Sequence, residues 1–351
     1  MMTYKRWLRM TGSFILVGLG SIAGLVIIVD PFFHYHRPLE RFPYQIDNQL
    51  NQNPGMAWHM EYDSVMLGSS MTVNFETDWF AEQMGLKMVK LSYNGAYPRD
   101  IHIIMKRVDE SRQELKRVFI GVDLASYTGG TQETKYPHPA HLHDSNLFSD
   151  VNYWYNKDVL LDYILKPVAE GQPTDLSSVY CSEPQLQGCY SRAYVLEHYT
   201  IPEDNDAFFP EDLFIEGLDA NLQANILPVI ESHPQTQFTI FFPPYSILYW
   251  YEYVRNNQMD AVMYEYRYFM EKLLAYDNVE LFFFPTLEEV VVDLDLYADA
   301  SHYNQSINRY MTECFVSGEH RITRENYEEE LRKMKSMIDA YDYDALFGES
   351  E

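Results

Sequence analysis

Cysteine and positive charge are both scarce in this chain. Its 351 residues include 3 Cys, and 26 Lys and Arg face 52 Asp and Glu, which gives a formal net charge of −26. So few cysteines exclude a small disulfide-stapled scaffold. A body this acidic repels phosphate backbones, so nucleic acid is not an expected partner. The sequence has no repeat of fixed period and no low-complexity tract, and its 46% hydrophobic content is typical of a globular protein.

The N-terminus combines three cations with a long uncharged run. Lys5, Arg6 and Arg9 lie in "YKRWLRM", and residues 13–29 carry no charge. About 17 residues is the short end of what spans a bilayer at 1.5 Å rise per residue. We predict an uncleaved anchor over 13–29 with its cationic end in the cytoplasm, so that everything after Asp30 is extracytoplasmic. A cleaved signal peptide and a buried soluble helix stay open as alternatives.

The cysteines and histidines give little sign of a metal site. Cys181 and Cys189 lie close together in the polar stretch "VYCSEPQLQGCYS", and Cys314 is alone. The first two either close a short disulfide loop or remain free thiols. The three histidines of "HPAHLHD" (138–143) lack carboxylates at ligand spacing, and we predict that they are exposed loop residues. We expect neither a metal nor a cofactor.

Short apolar runs alternate with helical patterns from residue 62 onward. The predicted strands are Ser64–Leu67, Met88–Ser92, Val118–Val122, Phe238–Phe242 and Val279–Phe284. The predicted helices lie near 76–85, 99–115, 211–231 and 257–276. Strands that are apolar throughout and separated by helices predict a parallel sheet covered on both faces, a three-layer α/β/α fold.

The chain is divided here into four predicted regions. Residues 1–30 form a cytoplasmic tip and anchor, 31–60 an irregular juxtamembrane segment, 61–320 an α/β domain and 321–351 an acidic amphipathic helix. Within the α/β domain, 127–210 is rich in Pro, Asn, Asp, His and Tyr. We interpret it as an irregular insertion over one edge of the sheet.

Three predicted strands end in small or polar residues. Their exits read "LGSSM", "LSYNGAYP" and "IGVDLASY". Ligands of such sheets bind beyond the carboxyl ends of the strands. The sequence therefore predicts one site to which all three exits contribute.

A late "LYADASHYNQ" supplies the groups that would activate a serine. Asp299 and His302 are three residues apart, a spacing that brings both side chains to one side of a turn. A carboxylate can hold a histidine in one tautomer, and that histidine can take a proton from a serine hydroxyl such as that of Ser70. The alternative is structural: Asp299 or Ser301 caps a helix N-terminus.

Taken together, these segments resemble the SGNH (GDSL-like) hydrolase superfamily, whose fold is a flavodoxin-like α/β/α layer structure. In that family the nucleophilic serine follows the first strand in a Gly-Asp-Ser type turn. The resemblance implies that Ser70 is the nucleophile, with Ser69 in place of the aspartate. It implies a backbone donor at Gly95 in the second block. From the late block it implies His302 as the base and Asp299 as its partner.

The third block departs from the family pattern. Where the family has Gly-x-Asn-Asp, this chain has Asp123 at the asparagine position. An ionised carboxylate cannot donate a hydrogen bond to an oxyanion. The predicted oxyanion hole therefore consists of Ser70 and Gly95, with Asn94 or a protonated Asp123 as a third donor, or with no third donor.

The Gly-Ser-Ser variant with an N-terminal anchor is similar to a membrane-anchored, extracytoplasmic branch of the superfamily. That branch includes the D-alanine transfer protein of teichoic acid synthesis and the alginate O-acetylation proteins. The resemblance implies transfer or removal of acyl esters on a cell-surface polysaccharide, with a multi-pass acyl-export protein as a partner. We prefer acyl transfer. A tethered carbohydrate esterase and a non-catalytic glycan-binding or assembly protein stay open.

Tyrosine is abundant, and this composition is compatible with a carbohydrate-binding pocket. The chain has 29 Tyr, and flat aromatic faces suit sugar rings. Tyr245, after the fourth predicted strand, is our candidate for substrate contact. The alternative is that these rings pack in the interior.

Overall fold

The computed structural model describes residues 3–144, 146–171 and 174–348. The chain forms two compact units. The first, called the anchor unit below, comprises residues 1–60, 107–111 and 136–176. The second, called the sheet unit, comprises 61–106, 112–135 and 177–351. The four regions expected from the sequence stay a prediction.

The anchor unit begins with one long apolar helix, α1 (Tyr4–Val29). Among the described residues it is the one helix long and apolar enough to cross a membrane. The helix ends at Asp30, whose φ of 47° breaks the helical path. The buried Asp30 carboxylate then accepts the backbone N–H groups of His34, Tyr35 and His36 at 2.7–3.0 Å. This one side chain therefore folds the "DPFFHYH" turn back on the end of the helix.

Several shorter helices complete the anchor unit. They are α2 (Gln49–His59), α5 (Ala140–His143), α6 (Val151–Trp154), α7 (Lys157–Leu160) and α8 (Lys166–Glu170), with a π-helical segment at Leu161–Leu165 between the last two. The expectation of an irregular 31–60 was wrong at α2. Its Gly55 lies against the chain, since a Cβ there would be 2.1 Å from the carbonyl oxygen of Phe32.

The sheet unit contains a six-stranded sheet in the order β2-β1-β3-β4-β5-β6. The strands are β1 (Ser64–Leu67), β2 (Met88–Lys90), β3 (Arg117–Gly121), β4 (Gln237–Phe242), β5 (Val279–Phe283) and β6 (Arg321–Ile322). The first five are parallel, and β6 pairs antiparallel to β5. The order 2-1-3-4-5 is that of flavodoxin-like doubly wound sheets. The predicted parallel α/β fold is confirmed, and β6 is an addition to it.

Helices connect and cover these strands. They are α3 (Thr77–Met84), α4 (Pro98–Glu110), α9 (Glu183–Leu186), α10 (Arg192–His198), α11 (Ile215–Asn221), α12 (Leu227–Ser232), α13 (Ile247–Arg255), α14 (Met259–Leu273), α15 (Glu288–Val291), α16 (Gln305–Ser317), α17 (Tyr327–Ala340) and α18 (Tyr343–Phe347). A π-helical segment, Leu222–Ile226, joins α11 to α12. The helix predicted over 211–231 therefore forms in two parts.

Successive residues of β4 pack against helices on opposite faces of the sheet. The Phe241 ring lies 5.2 Å from that of Phe315 on α16. The next residue, Phe242, points the other way and lies 5.4 Å from Phe269 on α14. With helices on both faces, most strand residues are apolar. The buried polar exceptions are Ser64 on β1, Lys90 on β2 and Thr239 on β4.

Candidate active site

The turn after β1 is built on a glycine. Gly68 has φ +138°, and a Cβ there would be 2.7 Å from Thr72 Cγ2 and 2.8 Å from the carbonyl oxygen of Gly121. A side chain would therefore clash with the neighbouring strand exit. Ser69 follows, buried, with its hydroxyl accepting the N–H of Met71. Ser70 then begins a 3₁₀ turn (Ser70–Thr72) and is partly exposed beyond the carboxyl end of β1.

The loop that carries His302 is closed on itself. Tyr297 and Tyr303 form an antiparallel bridge, and the N–H of Ala298 donates to the carbonyl oxygen of His302 at 2.8 Å. Inside the loop, Asp299 Oδ1 accepts the N–H groups of Ser301 at 2.7 Å and His302 at 2.8 Å. Asp299 therefore closes a tight turn. The helix N-cap considered as the alternative for "DASH" is absent at this position, since α16 begins at Gln305 and is capped by Asn304.

The other oxygen of Asp299 contacts the imidazole. Asp299 Oδ2 lies 2.7 Å from His302 Nδ1, and His302 Nε2 lies 2.8 Å from Ser70 Oγ. A carboxylate partner fixes the proton on Nδ1, which leaves Nε2 as the acceptor for the serine hydroxyl. The structure thus brings together three residues that lie up to 232 positions apart in sequence. Their catalytic roles stay a prediction.

Two buried residues that the sequence did not suggest hold the loop and the turn in place. The backbone N–H and the hydroxyl of Ser246, at the exit of β4, both donate to the carbonyl oxygen of Ala300, at 3.2 and 2.7 Å. The amide of Asn308, on α16, donates to the carbonyl oxygen of Met71 at 3.2 Å. Sequence reasoning missed both, because each acts on a backbone carbonyl far along the chain.

Asp299 and His302 shift the pKa values of each other's side chains. The hydrogen bond to Asp299 raises the pKa of His302 above its ordinary value, against partial desolvation, and the Asp123 charge adds to the rise. Desolvation opposes ionisation of Asp299, but hydrogen bonds from His302 and Ser301 outweigh it and hold the Asp299 pKa below its ordinary value. The imidazole side chain is still 36% exposed, so a substrate can reach it.

Asp123 lies at the exit of β3 in a poorly solvated environment. It precedes a 3₁₀ turn (Leu124–Tyr127), but its side chain does not cap that turn. Desolvation raises the pKa of Asp123, and interactions with Tyr245 and His302 only partly offset this. A carboxyl with a raised pKa holds its proton to higher pH, and a protonated carboxyl can donate a hydrogen bond.

The second predicted block lies beside the nucleophile turn. The N–H of Tyr93 donates to the carbonyl oxygen of Gly68 at 3.0 Å, and that of Ala96 to Tyr93 at 2.9 Å, which forms a tight turn. Gly95, in this turn, has φ +67°, and Asn94 is exposed. The proposed donor roles of these two residues stay a prediction.

Tyr245 is an interior residue. Its side chain is 2% exposed, and its ring stacks on Tyr249 with centroids 4.1 Å apart. Its hydroxyl faces the carboxyl of Asp123 and partly offsets the desolvation that raises the pKa of that group. Burial, with the Asp123 charge, raises the pKa of Tyr245 well above the ordinary value. The predicted contact with substrate stays a prediction.

The histidines of the 138–143 segment are half-buried, so the expectation of exposed loop residues was wrong. The His138 and His143 rings lie 5.3 Å apart, and desolvation with neighbouring positive groups lowers the pKa of His143 to about 4. Packing of α5 within the anchor unit accounts for the difference, since its Leu142 is buried.

One other group has metal-ligand spacing among the described residues. Ligand atoms of Cys314, Glu319 and His320 lie within 4.8 Å of one another. His320 Nε2 is already hydrogen-bonded to the Tyr310 hydroxyl at 3.0 Å. All three cysteines of the chain are free thiols in the structure, so Cys181 and Cys189 are not bridged.

Comparisons with known proteins add little to this geometry. No protein-family model matches the chain, and a search of curated proteins finds no match. Among solved structures, the chain is similar to "a putative platelet activating factor from Streptococcus pneumonia", with a TM-score of 0.35 and 13% identity. That alignment covers 77% of this chain and 89% of the other. A similarity of this size carries no argument about function.

Proposed function

We propose that this protein is a membrane-anchored serine O-acyltransferase or esterase that acts on acyl esters of a cell-surface polysaccharide. One observation carries the proposal: the continuous pair of hydrogen bonds from Ser70 Oγ to His302 Nε2 and from His302 Nδ1 to Asp299 Oδ2, at 2.8 and 2.7 Å. This geometry meets the requirement that a serine nucleophile, its base and the group that orients the base be in contact.

The chemistry follows from these contacts. Ser70 Oγ attacks the carbonyl carbon of an ester while His302 Nε2 takes the hydroxyl proton. The C–O bond to the leaving alcohol breaks, and His302 returns the proton to that alcohol, which leaves an acyl-serine. Water or a sugar hydroxyl then attacks the acyl-serine and loses its proton to His302. The bond between the acyl carbon and Ser70 Oγ breaks, and His302 returns the proton to Ser70 Oγ, which releases the acid or the acylated sugar and restores the free serine. Asp299 stabilises the imidazolium that forms in each step.

Stabilisation of the tetrahedral oxyanion is the less complete part of the proposal. The backbone amides of Ser70 and Gly95 and the side chain of Asn94 are the proposed donors. An ionised Asp123 would repel the oxyanion, whereas a protonated one would donate to it. The raised pKa of Asp123 supports the protonated form.

Acyl transfer is preferred to hydrolysis, and this preference comes from the resemblance to membrane-anchored SGNH proteins. The apolar helix α1 supports the anchor. Its cations, Lys5, Arg6 and Arg9, support a cytoplasmic N-terminus. The sheet unit would then act outside the membrane, where surface polysaccharide is accessible.

The test is labelling of the full chain by a serine-reactive fluorophosphonate. We expect one label per chain, lost in Ser70→Ala. Ser69→Ala is the matched control, since Ser69 is the adjacent hydroxyl and serves the turn, so this variant should still label. Absence of labelling in the parent chain would refute the proposal. It would favour the rival, a non-catalytic glycan-binding protein, for which the carboxylate at position 123 is the supporting observation.

A second measurement divides the two enzymatic outcomes. Acetate release from an acetylated oligosaccharide would be followed with and without an acceptor sugar. If acceptor suppresses acetate release and an acylated acceptor appears, the protein is a transferase. Release that is indifferent to acceptor indicates an esterase.

A further inference from the structure

The anchor unit exposes large apolar side chains in its segment 147–168, which contains a turn, the short helix α6 and most of the helical stretch formed by α7, the π-helical segment and α8. Phe148 is 90% exposed, and Leu161, Leu165 and Val168 are 51%, 50% and 57% exposed. A soluble surface shows apolar residues singly. A contiguous apolar patch marks a protein or membrane contact.

Three of these residues form one stripe on a helix. Leu161 and Leu165 are about one turn apart in the π-helical part of the continuous helical segment 157–170, and Val168 lies about one α-helical turn further on, so all three lie near the same side. The exposed charged residues of the same segment, Asp162, Lys166 and Glu170, form a second stripe next to the apolar one. Its buried residues include Val159 and Ile164. A helix that already buries one apolar face in its own unit does not need a second one in water.

The start of segment 147–168 contacts α1. The Tyr155 hydroxyl donates to the carbonyl oxygen of Leu19, in the middle of α1, at 3.3 Å. Coverage changes along α1 accordingly. Phe14 and Leu16 are 73% and 71% exposed, whereas Val26 and Val29 are 0% and 6% exposed. One face of the C-terminal third of α1 is therefore packed against its own unit, whereas Ile28, in the same third, is 65% exposed.

The length of α1 determines where a bilayer would lie. Its last cation is Arg9, and charged head groups hold that end at the membrane surface. From Arg9 to Leu19 is about 15 Å at 1.5 Å per residue, whereas the hydrocarbon core is about 30 Å thick. About half of the core must therefore surround the part of α1 beyond Leu19, which is the part that the anchor unit covers on one face.

We infer that the anchor unit is itself embedded in the leaflet distal to the cations, with lipid acyl chains as the ligand of its apolar face. We assign to that face the exposed apolar side chains of segment 147–168, namely Phe148, Val151, Tyr155, Leu161, Leu165 and Val168. Lys166, at the edge of the stripe, can extend its ammonium group to the head groups. The protein then holds the membrane at two places, the spanning helix and an interfacial helix. This inference goes beyond the proposed acyl transfer and needs only that α1 spans the bilayer.

The test places an environment-sensitive fluorophore on single cysteines in the full chain, reconstituted in phosphatidylcholine vesicles. The background is Cys181→Ser with Cys189→Ser, and Cys314 is kept because it is buried. Leu165→Cys reports on the apolar face, and Glu170→Cys is the matched control on the charged stripe of the same segment. Leu16→Cys reports on α1. Quenching by nitroxide on lipid acyl chains is compared with quenching by aqueous iodide.

We expect position 165 to be quenched by the lipid nitroxide severalfold more than position 170, and by iodide severalfold less. Equal iodide quenching at 165 and 170 would overturn the inference, because the face would then be in water. Protection of 165 from both quenchers would also overturn it and would indicate a second protein copy on the face. If Leu16→Cys escapes the lipid quencher, α1 does not span and the inference fails with it, whereas labelling of Ser70 is unaffected.

Discussion

The amide of Asn308 donates a 3.2 Å hydrogen bond to the carbonyl oxygen of Met71, 237 residues away. Met71 directly follows Ser70, and Asn308 lies in the first turns of the helix that follows His302. Both side chains are buried, so the bond is shielded from water. It therefore joins the turn that carries the hydroxyl to the element that carries the imidazole.

Replacing Asn308 with alanine should loosen the junction between these two elements, which the longer hydrogen bond from the Tyr303 hydroxyl to the same Met71 carbonyl, at 3.5 Å, still joins. We expect the free energy of unfolding to fall by about 0.5–1.5 kcal/mol, because the carbonyl loses the shorter of two hydrogen bonds. Activity should fall on the order of 10- to 100-fold, because small misplacements of reacting groups are costly. Thermal unfolding and the fluorophosphonate labelling rate measure the two effects.

Asn304→Ala is the control for that prediction. Asn304 caps α16 by accepting the N–H of Ser306, so its loss should destabilise the protein by about 1 kcal/mol. It has no described contact with the Ser70 turn, and we expect its labelling rate to stay within about twofold of the parent. A labelling loss that tracks stability equally in both variants would show that Asn308 has no positioning role.

The raised pKa of His302 sets the direction of the pH profile. Only the neutral imidazole accepts the Ser70 proton, so kcat/KM should rise with pH through a pKa above the ordinary histidine value. Stability has the opposite sign. The favourable contribution of protonated His302 is fully present below the unfolded pKa and is lost as pH rises through the folded pKa. A kcat/KM profile whose acid limb falls below the ordinary value would contradict this prediction.

Asp299→Asn should separate the structural and the chemical roles of this residue. An asparagine oxygen can still accept the N–H groups of Ser301 and His302, so the turn should hold and thermal unfolding should change little. The negative charge at position 299 is lost, and an amide group in place of Oδ2 can donate to His302 Nδ1. This favours the tautomer with its proton on Nε2, which cannot accept the Ser70 proton. The corresponding change in a serine protease lowers kcat by about 10⁴, and we expect a loss on the order of 10²–10⁴ in ester turnover. Unchanged turnover in the folded variant would exclude Asp299 from the site chemistry.

Asp123→Asn is expected to raise the rate of ester turnover. The amide restores a donor that cannot ionise, and loss of one such donor in a protease costs on the order of 10²–10³ in rate. We expect ester turnover to increase, most at high pH, where Asp123 is ionised in the parent chain. At pH values where Asp123 is ionised in the parent chain, removing this carboxylate should also lower the pKa of His302. A variant slower than the parent at every pH would show that the carboxyl has a role of its own.

The sequence predicted the elements that depend on local pattern. All five parallel strands were found at or within two residues of their predicted ends, because a strand buried on both faces reads as an uninterrupted apolar run. The convergence of the first three strand exits followed from where parallel strands end. The approach of His302 to Ser70 was implied by the Asp-x-x-His motif and by the resemblance to the SGNH superfamily.

Long-range contacts between buried polar groups could not be predicted from the sequence. Ser246 and Asn308 are ordinary residues in sequence, and their importance comes from the carbonyl groups of Ala300 and Met71 that they contact. The short helix α2 was missed because Pro54 and several polar residues interrupt its pattern. Two-residue β6 is too short to leave any period in the sequence.

The glycine that begins the Ser70 turn gives a prediction on stability. At Gly68 a methyl group meets both a strained φ of +138° and backbone atoms of the Gly121 exit at 2.8 Å. Gly85 is the matched control, since it also has a positive φ, of 65°, but a Cβ there meets nothing within 4 Å.

Gly68→Ala should therefore cost more than Gly85→Ala. For the control we expect about 1–2 kcal/mol, the cost of a left-handed residue. For Gly68→Ala we expect that cost to be exceeded by about 1–3 kcal/mol, because its conformation is nearly restricted to glycine and the clash must displace β3. Chemical denaturation of the two variants measures the difference. Equal losses would show that strain at φ alone, and not the close approach of the two strand exits, determines the glycine at position 68.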